Sequence, residues 1–299
     1  VEPQAQISDA DVAAYRTNGY LVVEDLIDRA TIEAILAEGT AICRGERGPI
    51  DGLLPASPSD SDETILGRYV TCTHAHKVSP LFTSFIADER LARVVVRLVG
   101  ENVKGFASQF FIKHAGMPGN AWHQDENFVP TRDRSLCTAW IALDEATVEN
   151  GCLRMIPGSH ASGVLYPMRP HNSRDLDRAE ECYDFPGLET AVPIELRPGS
   201  AVFFSGYILH SSTTNKRASG FRRALLYQYA RAETPIAYSS RNVPVNNYYD
   251  MRDFVLVRGV DPYHWKAKTD EMRAFLRAPG PMPEDHVLSE MRERAKAGA

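Results

Sequence analysis

The sequence predicts a mainly β protein with flanking helices, its β region folded as a sandwich or jelly roll. Two observations predict it. Between residues 103 and 229 the chain runs in short β-rich stretches, at 105–113, 137–143, 153–156, 191–196, 200–204 and 222–230. Turn residues such as Pro157-Gly158 and Pro198-Gly199 separate them. On both sides of this region the apolar spacing becomes helical. No Pro/Ser-rich linker divides the 299 residues, so one domain is expected over 1–299. Its parts are N-terminal helices and supporting strands in 1–104, the β core in 105–230 and a C-terminal helical extension in 231–299.

The elements follow in order. Ser8, ahead of Asp9 and Asp11, reads as a helix N-cap, and the helix should run to about residue 17. Asn18-Gly19 is a turn, and 20–24 a strand. Residues 28–43 carry Ile32, Ile35, Leu36 and Ile42 at helical spacing. Residues 45–64, rich in Gly, Pro, Ser and Asp, form a long polar loop. A second amphipathic helix is expected over 80–99, with Phe82, Phe85, Ile86, Leu91 and Val95 on its apolar face. Further helices are expected at 269–276 and 283–295.

Composition bounds the function. A hydrophobic fraction of 43%, a charged fraction of 24% and a net charge of −6 describe an ordinary globular protein. There is no basic run to mark a nucleic-acid partner. The longest apolar stretches are too short to span a bilayer, so no membrane association is expected. The first residues have neither the basic region nor the apolar core of a signal peptide, and a cytoplasmic location is expected. The five cysteines, Cys43, Cys72, Cys137, Cys152 and Cys182, are odd in number and widely spaced, without a Cys-x-x-Cys. Free thiols in a reducing compartment are expected.

The chemistry gathers at His123-Gln124-Asp125 and His210. Two imidazoles and a carboxylate can hold one face of a divalent iron and leave the other open, the facial triad of non-haem oxygenases. Side chains alternate along a strand, so residues 123 and 125 share a side and Gln124 turns away. The third ligand must come from a distant strand. His114, His160 and the pair His74/His76 are the competing histidines, and none has a carboxylate and a further His at comparable spacing. Arg222 heads the run Arg222-Arg-Ala-Leu-Leu-Tyr-Gln-Tyr229. Of Arg222 and Arg223 only one can face inward, and a buried guanidinium there needs an anionic partner.

These motifs occur together with Asn150-Gly-Cys-Leu-Arg-Met-Ile-Pro-Gly-Ser-His160, Pro198-Gly-Ser-Ala-Val-Phe-Phe204 and Gly220-Phe-Arg222, in that order. The chain resembles the phytanoyl-CoA dioxygenase family of Fe(II)- and 2-oxoglutarate-dependent oxygenases over roughly residues 105 to 230. The resemblance implies a double-stranded β-helix, a cupin-like jelly roll, as the catalytic core. It implies His123, Asp125 and His210 as iron ligands, with Fe(II), 2-oxoglutarate and O2 as cofactors. It implies Arg222 as the anchor of the distal carboxylate of 2-oxoglutarate, with Ser212, Trp140 and Gln109 beside the co-substrate. Plain core packing is the alternative for Trp140, and a strand hydrogen bond for Gln109.

The implied reaction is hydroxylation of an aliphatic carbon of a small metabolite, with release of succinate and CO2. The intact Asp125 disfavours halogenation, which needs that position vacant. Trp122, Asn127, Arg132 and Tyr207 are the candidate substrate contacts, with Glu126, Phe128, Arg134 and Arg154 beside them. The loop 165–186 carries both signs of charge and departs from a simple apolar lid. A monomer or homodimer acting on a small molecule is expected. A jelly-roll metalloenzyme without 2-oxoglutarate, or a non-catalytic binding barrel, is the alternative.

Overall fold

The computed structural model describes residues 7–177, 180–238, 249–268 and 272–279. Helix α1 (Asp9–Asn18) starts at a capping box in which Ser8 and Asp11 satisfy each other's backbone amides. It ends on Gly19, and β1 (Tyr20–Val23) follows. Asp28 caps α2 (Arg29–Cys43) by accepting from Thr31 N–H. The polar loop then contains α3 (Asp62–Leu66) and leads to β2 (Thr71–Thr73), a strand the sequence pattern did not reveal.

The single helix expected over 80–99 is two helices, α4 (Pro80–Ile86) and α5 (Glu89–Val99). Asp88 breaks the run because its carboxylate accepts from Arg90 N–H and so starts a new helix. The long β3 (Val103–His114) opens the core, followed by β4 (Cys137–Ala142) and β5 (Leu153–Met155). Next come the hairpin strands β6 (Met168–Pro170) and β7 (Glu180–Cys182), then β8 (Val192–Ile194) and β9 (Ala201–Ser205). β10 (His210–Ser212) and β11 (Phe221–Arg231) complete the core.

The C-terminal part differs from expectation. Its described residues form β12 (Ala237–Tyr238), β13 (Tyr249–Asp250), β14 (Val255–Arg258) and β15 (Phe275–Arg277), and no helix. Residues 274–276 alternate buried, exposed, buried, which is the period of a strand, and β15 pairs with β2. The helix expected at 283–295 lies outside the described residues. No helix among the described residues is long and apolar enough to cross a membrane.

The main sheet runs β1-β9-β4-β11-β3-β2-β15, with β14 also on β3, and every pairing is antiparallel. A smaller sheet, β10-β5-β8, faces it. Period two divides each central strand between two cores. Phe110, Ile112, Ala139, Ile141, Phe203, Leu225 and Tyr227 pack under the helices. Trp140, Ala142, Val202, Phe204, Ala224 and Leu226 face the smaller sheet, against Met155 and Ile194. The result is the expected jelly roll with helices on one face only. All five cysteines are buried free thiols.

Close helix–sheet approach depends on Gly39 in α2. A Cβ added there would stand 2.4 Å from the Phe110 ring, which is itself fully buried. Gly39→Ala should therefore lower stability by about 1–3 kcal/mol despite alanine's better helix propensity. Urea unfolding checks this, and a stabilised variant would contradict the packing argument.

Acid sensitivity has a separate source. Burial pushes His74 and His76 down to about 4 from an ordinary 6.5, so both are neutral in the folded protein below that ordinary value. Between those two values the unfolded chain takes up protons that the folded chain refuses. Stability present above 6.5 should thus fall as the pH drops toward 4. Urea midpoints across that window should show a shallower slope in the variant His74→Asn/His76→Gln. Asn is chosen because residue 74 has φ 53°.

Candidate active site

The sheet pairing brings the ligands together. His123 and His210 form an isolated antiparallel bridge, each donating its N–H to the other's carbonyl at 3.0 Å. Gln124 is extended (φ −122°, ψ 131°), so His123 and Asp125 project to the same side as alternation requires. The strand then ends sooner than expected, because Asp125–Asn127 is a single 3-10 turn. One ligand atom from each of His123, Asp125 and His210 lies within 4.8 Å of the others, and all three side chains are buried. His123 Nε2 is 3.8 Å and His210 Nε2 3.7 Å from Asp125 Oδ1. Among the described residues no other cluster has this donor set.

Outer hydrogen bonds orient each ligand. His123 Nδ1–H donates to Ala121 O at 2.8 Å, and His210 Nδ1–H to Ile208 O at 3.1 Å. Each Nε2 thereby keeps its lone pair facing the other ligands. Asp125 Oδ2 accepts from Thr138 Oγ1 at 2.6 Å and from Gln228 Nε2 at 3.4 Å, leaving Oδ1 toward the imidazoles. Thr138 and Gln228 are cross-strand partners on β4 and β11. Gln124 is fully buried. It donates to Val164 O and Tyr207 O and accepts from Tyr166 N–H, fastening three segments behind His123 and Asp125.

A cationic end lies in the same cavity. Arg222, not Arg223, faces inward. Arg223 turns out to form a bidentate pair with Asp144. The Arg222 side chain is buried, its guanidinium is 5.1 Å from the Trp140 ring, and its Nε has no hydrogen-bond partner. Burial pushes its pKa down to about 10. Lys113 stands opposite Arg222 in register on β3. Its ammonium donates to Ser212 Oγ at 3.1 Å and Thr213 O at 2.6 Å. Burial, and then the neighbouring Arg222, hold its pKa well below the lysine range. Ser212 Oγ also accepts from Asn120 N–H at 3.0 Å, so its own O–H is left to donate.

His123, Asp125, His210, Gln109, Trp140, Ser212 and Arg222 all line this one cavity. The four expected substrate contacts do not. Trp122 packs on Phe185 and under Arg154. Asn127 donates to Cys182 Sγ, and Tyr207 lies under Arg134. Arg132 is exposed and lines a separate open cavity of about 830 Å³ beyond the far end of β11, with Glu101, Asp133, Glu233 and Asp250. Asn127 and Arg132 follow the 3-10 turn at Asp125–Asn127, where the chain leaves the extended course that carries His123. His160 bonds Arg16 O, and His74 and His76 lie elsewhere. Lys113, Thr138 and Gln228 were missed. The signal for Lys113 was its even spacing from Gln109 on one strand face.

The comparisons agree with this geometry. The sequence model of the family described as phytanoyl-CoA dioxygenase matches residues 15–224. A probable phytanoyl-CoA dioxygenase of Caenorhabditis elegans is 36% identical over 229 residues, covering 72% of this chain and 73% of that protein. A phytanoyl-CoA dioxygenase of Arabidopsis thaliana is 31% identical over 142 residues. That match covers 47% of this chain and about half (49%) of the plant protein's length. Among solved structures, EctD from S. alaskensis, crystallised with 2-oxoglutarate and 5-hydroxyectoine, superposes with a TM-score of 0.60 at 22% identity. The superposition covers 79% of this chain and 80% of that one, and it shows the same fold. The family match extends from within α1 to within β11 and takes in His123, Asp125 and His210, and the chain belongs to the phytanoyl-CoA dioxygenase family.

Proposed function

We propose that this protein is an Fe(II)- and 2-oxoglutarate-dependent dioxygenase that hydroxylates an aliphatic carbon of a small metabolite. The carrying observation is the pairing of a buried Arg222, its Nε without a hydrogen-bond partner, with the His-Asp-His set in one cavity. A buried guanidinium with a free Nε is costly unless an anion completes it. Two imidazoles and one carboxylate suit a ferrous ion, and Arg222 with Lys113 suits the far carboxylate of a dicarboxylic co-substrate.

Together, bound iron and 2-oxoglutarate would supply the oxidising chemistry: one O2 is consumed, 2-oxoglutarate becomes succinate and CO2, and a substrate C–H becomes C–OH. The chain's own residues bind and orient. His123 and His210 present Nε2 because their Nδ1 protons are committed to carbonyls. Thr138 and Gln228 hold Asp125 to a single free oxygen. Arg222, Lys113 and the Ser212 hydroxyl would grip the distal carboxylate, with Trp140 as the wall beside it. Gln109, opposite Leu226, lies between the two ends.

Two outcomes are expected. Arg222→Met should raise the apparent KM for 2-oxoglutarate by at least about tenfold while divalent-metal binding is kept, read by succinate formation and by calorimetry. Metal-loaded wild-type protein that binds no 2-oxoglutarate would sink the reading. Thr138→Val should weaken metal binding by about 10- to 100-fold without moving the fold, measured by metal titration. An unchanged affinity would remove Thr138 from the site. A metabolite panel screened for substrate-stimulated succinate release identifies the substrate.

A further inference from the structure

The cavity has a second charged pair at its cationic end. Asp177 and Arg277 both line it, together with Lys113 and Arg222. Asp177 lies on the 165–186 loop, and Arg277 is the last residue of β15. The Asp177 carboxylate is bidentate: Oδ1 accepts from Arg277 Nη1 at 3.0 Å and Oδ2 from Nη2. The two side chains are 5% and 13% exposed, so solvent screens the pair little.

The pair's two ends are rooted differently. Arg277 is tied to the sheet, since its carbonyl accepts from Val70 N–H at 2.8 Å and β15 pairs with β2. Among the described residues, the Asp177 backbone is tied to the neighbouring loop. Its N–H donates to Gly119 O at 2.7 Å, while Gly119 N–H donates to Asp175 O at 2.8 Å. Gly119 is squeezed between that loop and β10, for a Cβ there would stand 2.0 Å from Ser212 O. Loop, Gly119 and Ser212 therefore stack directly over the residues that bind at the cationic end. Asp177 is also the carboxylate that acts electrostatically on Lys113.

Resting on the 2-oxoglutarate reading above, we propose that the Asp177–Arg277 pair gates the co-substrate end of the cavity. It holds residues 175–177 across the anchoring cations and sets how fast a dicarboxylate enters and its dicarboxylate product leaves. The bidentate pair must part before the loop can lift, and it re-forms once the dicarboxylate has passed. A gate of this kind changes rates in both directions and leaves the equilibrium nearly untouched. A mere charge in the wall would change affinity instead, with opposite sign for the two residues.

The test uses the full-length protein loaded with Mn(II), which needs no turnover. Binding and release of 2-oxoglutarate are followed by stopped-flow quenching of tryptophan fluorescence, Trp140 lying in the cavity. Asp177→Asn and Arg277→Gln should each accelerate both association and dissociation on the order of tenfold, with little change in Kd. Hydrogen exchange at the Gly119 and Asp177 amides should quicken in both, with β4 and β11 unchanged. The charge-swapped double variant Asp177→Arg/Arg277→Asp should restore slow rates. Unchanged rates, or affinities that move in opposite directions, overturn the gate alone. Wild-type protein that binds no 2-oxoglutarate overturns the parent reading and the gate with it.

Discussion

The site depends on two backbone hydrogen bonds, the reciprocal pair between His123 and His210. They join the loop after β3 to the start of β10 and so fix the separation of two ligands before any metal is considered. Both imidazoles then find carbonyls two residues back in their own segments, Ala121 and Ile208. The near symmetry follows from the bridge: paired residues in a narrow antiparallel contact project side by side, and their rings sit 4.0 Å apart. Asp125 joins them because Gln124 is extended and because β4 and β11 supply Thr138 and Gln228 to its outer oxygen. The fold thus pre-orders donors that would otherwise repel or drift.

Charge organises the other end. Arg222 and Lys113 face each other across two paired strands, both out of water, with Trp140 rather than a carboxylate against the guanidinium. A fold selected for stability alone would pair or remove them. Arg223, one residue away on the opposite face, shows the contrast, because Asp144 fully occupies its fork. The neighbouring arginines have the same chemistry and opposite roles, decided by which side of β11 each is on.

Much of this was legible in the sequence. The period-two runs gave six core strands to within a residue or two, though not β10, and the cap Ser8 was visible as a local pattern. The triad was legible because two of its members are neighbours along the chain. What escaped was decided by distant contacts. Residues 275–277 became a strand because β2 offered an open edge, which no local propensity announces. The break at Asp88 was available as a cap signal but masked by continuous apolar spacing. Trp122, Asn127 and Arg132 are near His123 in sequence and Tyr207 is near His210, yet their side chains pack outside the cavity that holds the two histidines. The Asp177–Arg277 pair joins positions 100 apart, and nothing in either neighbourhood points to the other.

The alternation along β11 carries an evolutionary consequence. Arg222, Ala224, Leu226 and Gln228 face the cavity side, and Leu225, Tyr227 and Tyr229 face the helices. A substitution at one cavity-side position leaves the facing of every other residue on the strand unchanged. Loss or gain of one residue between Arg222 and Gln228 is different, because it swaps the two faces for part of the strand. It would drive an arginine into the helix-covered core or a tyrosine into the cavity. Related chains should therefore hold the length of this strand fixed, because spacing decides which residues reach the cavity.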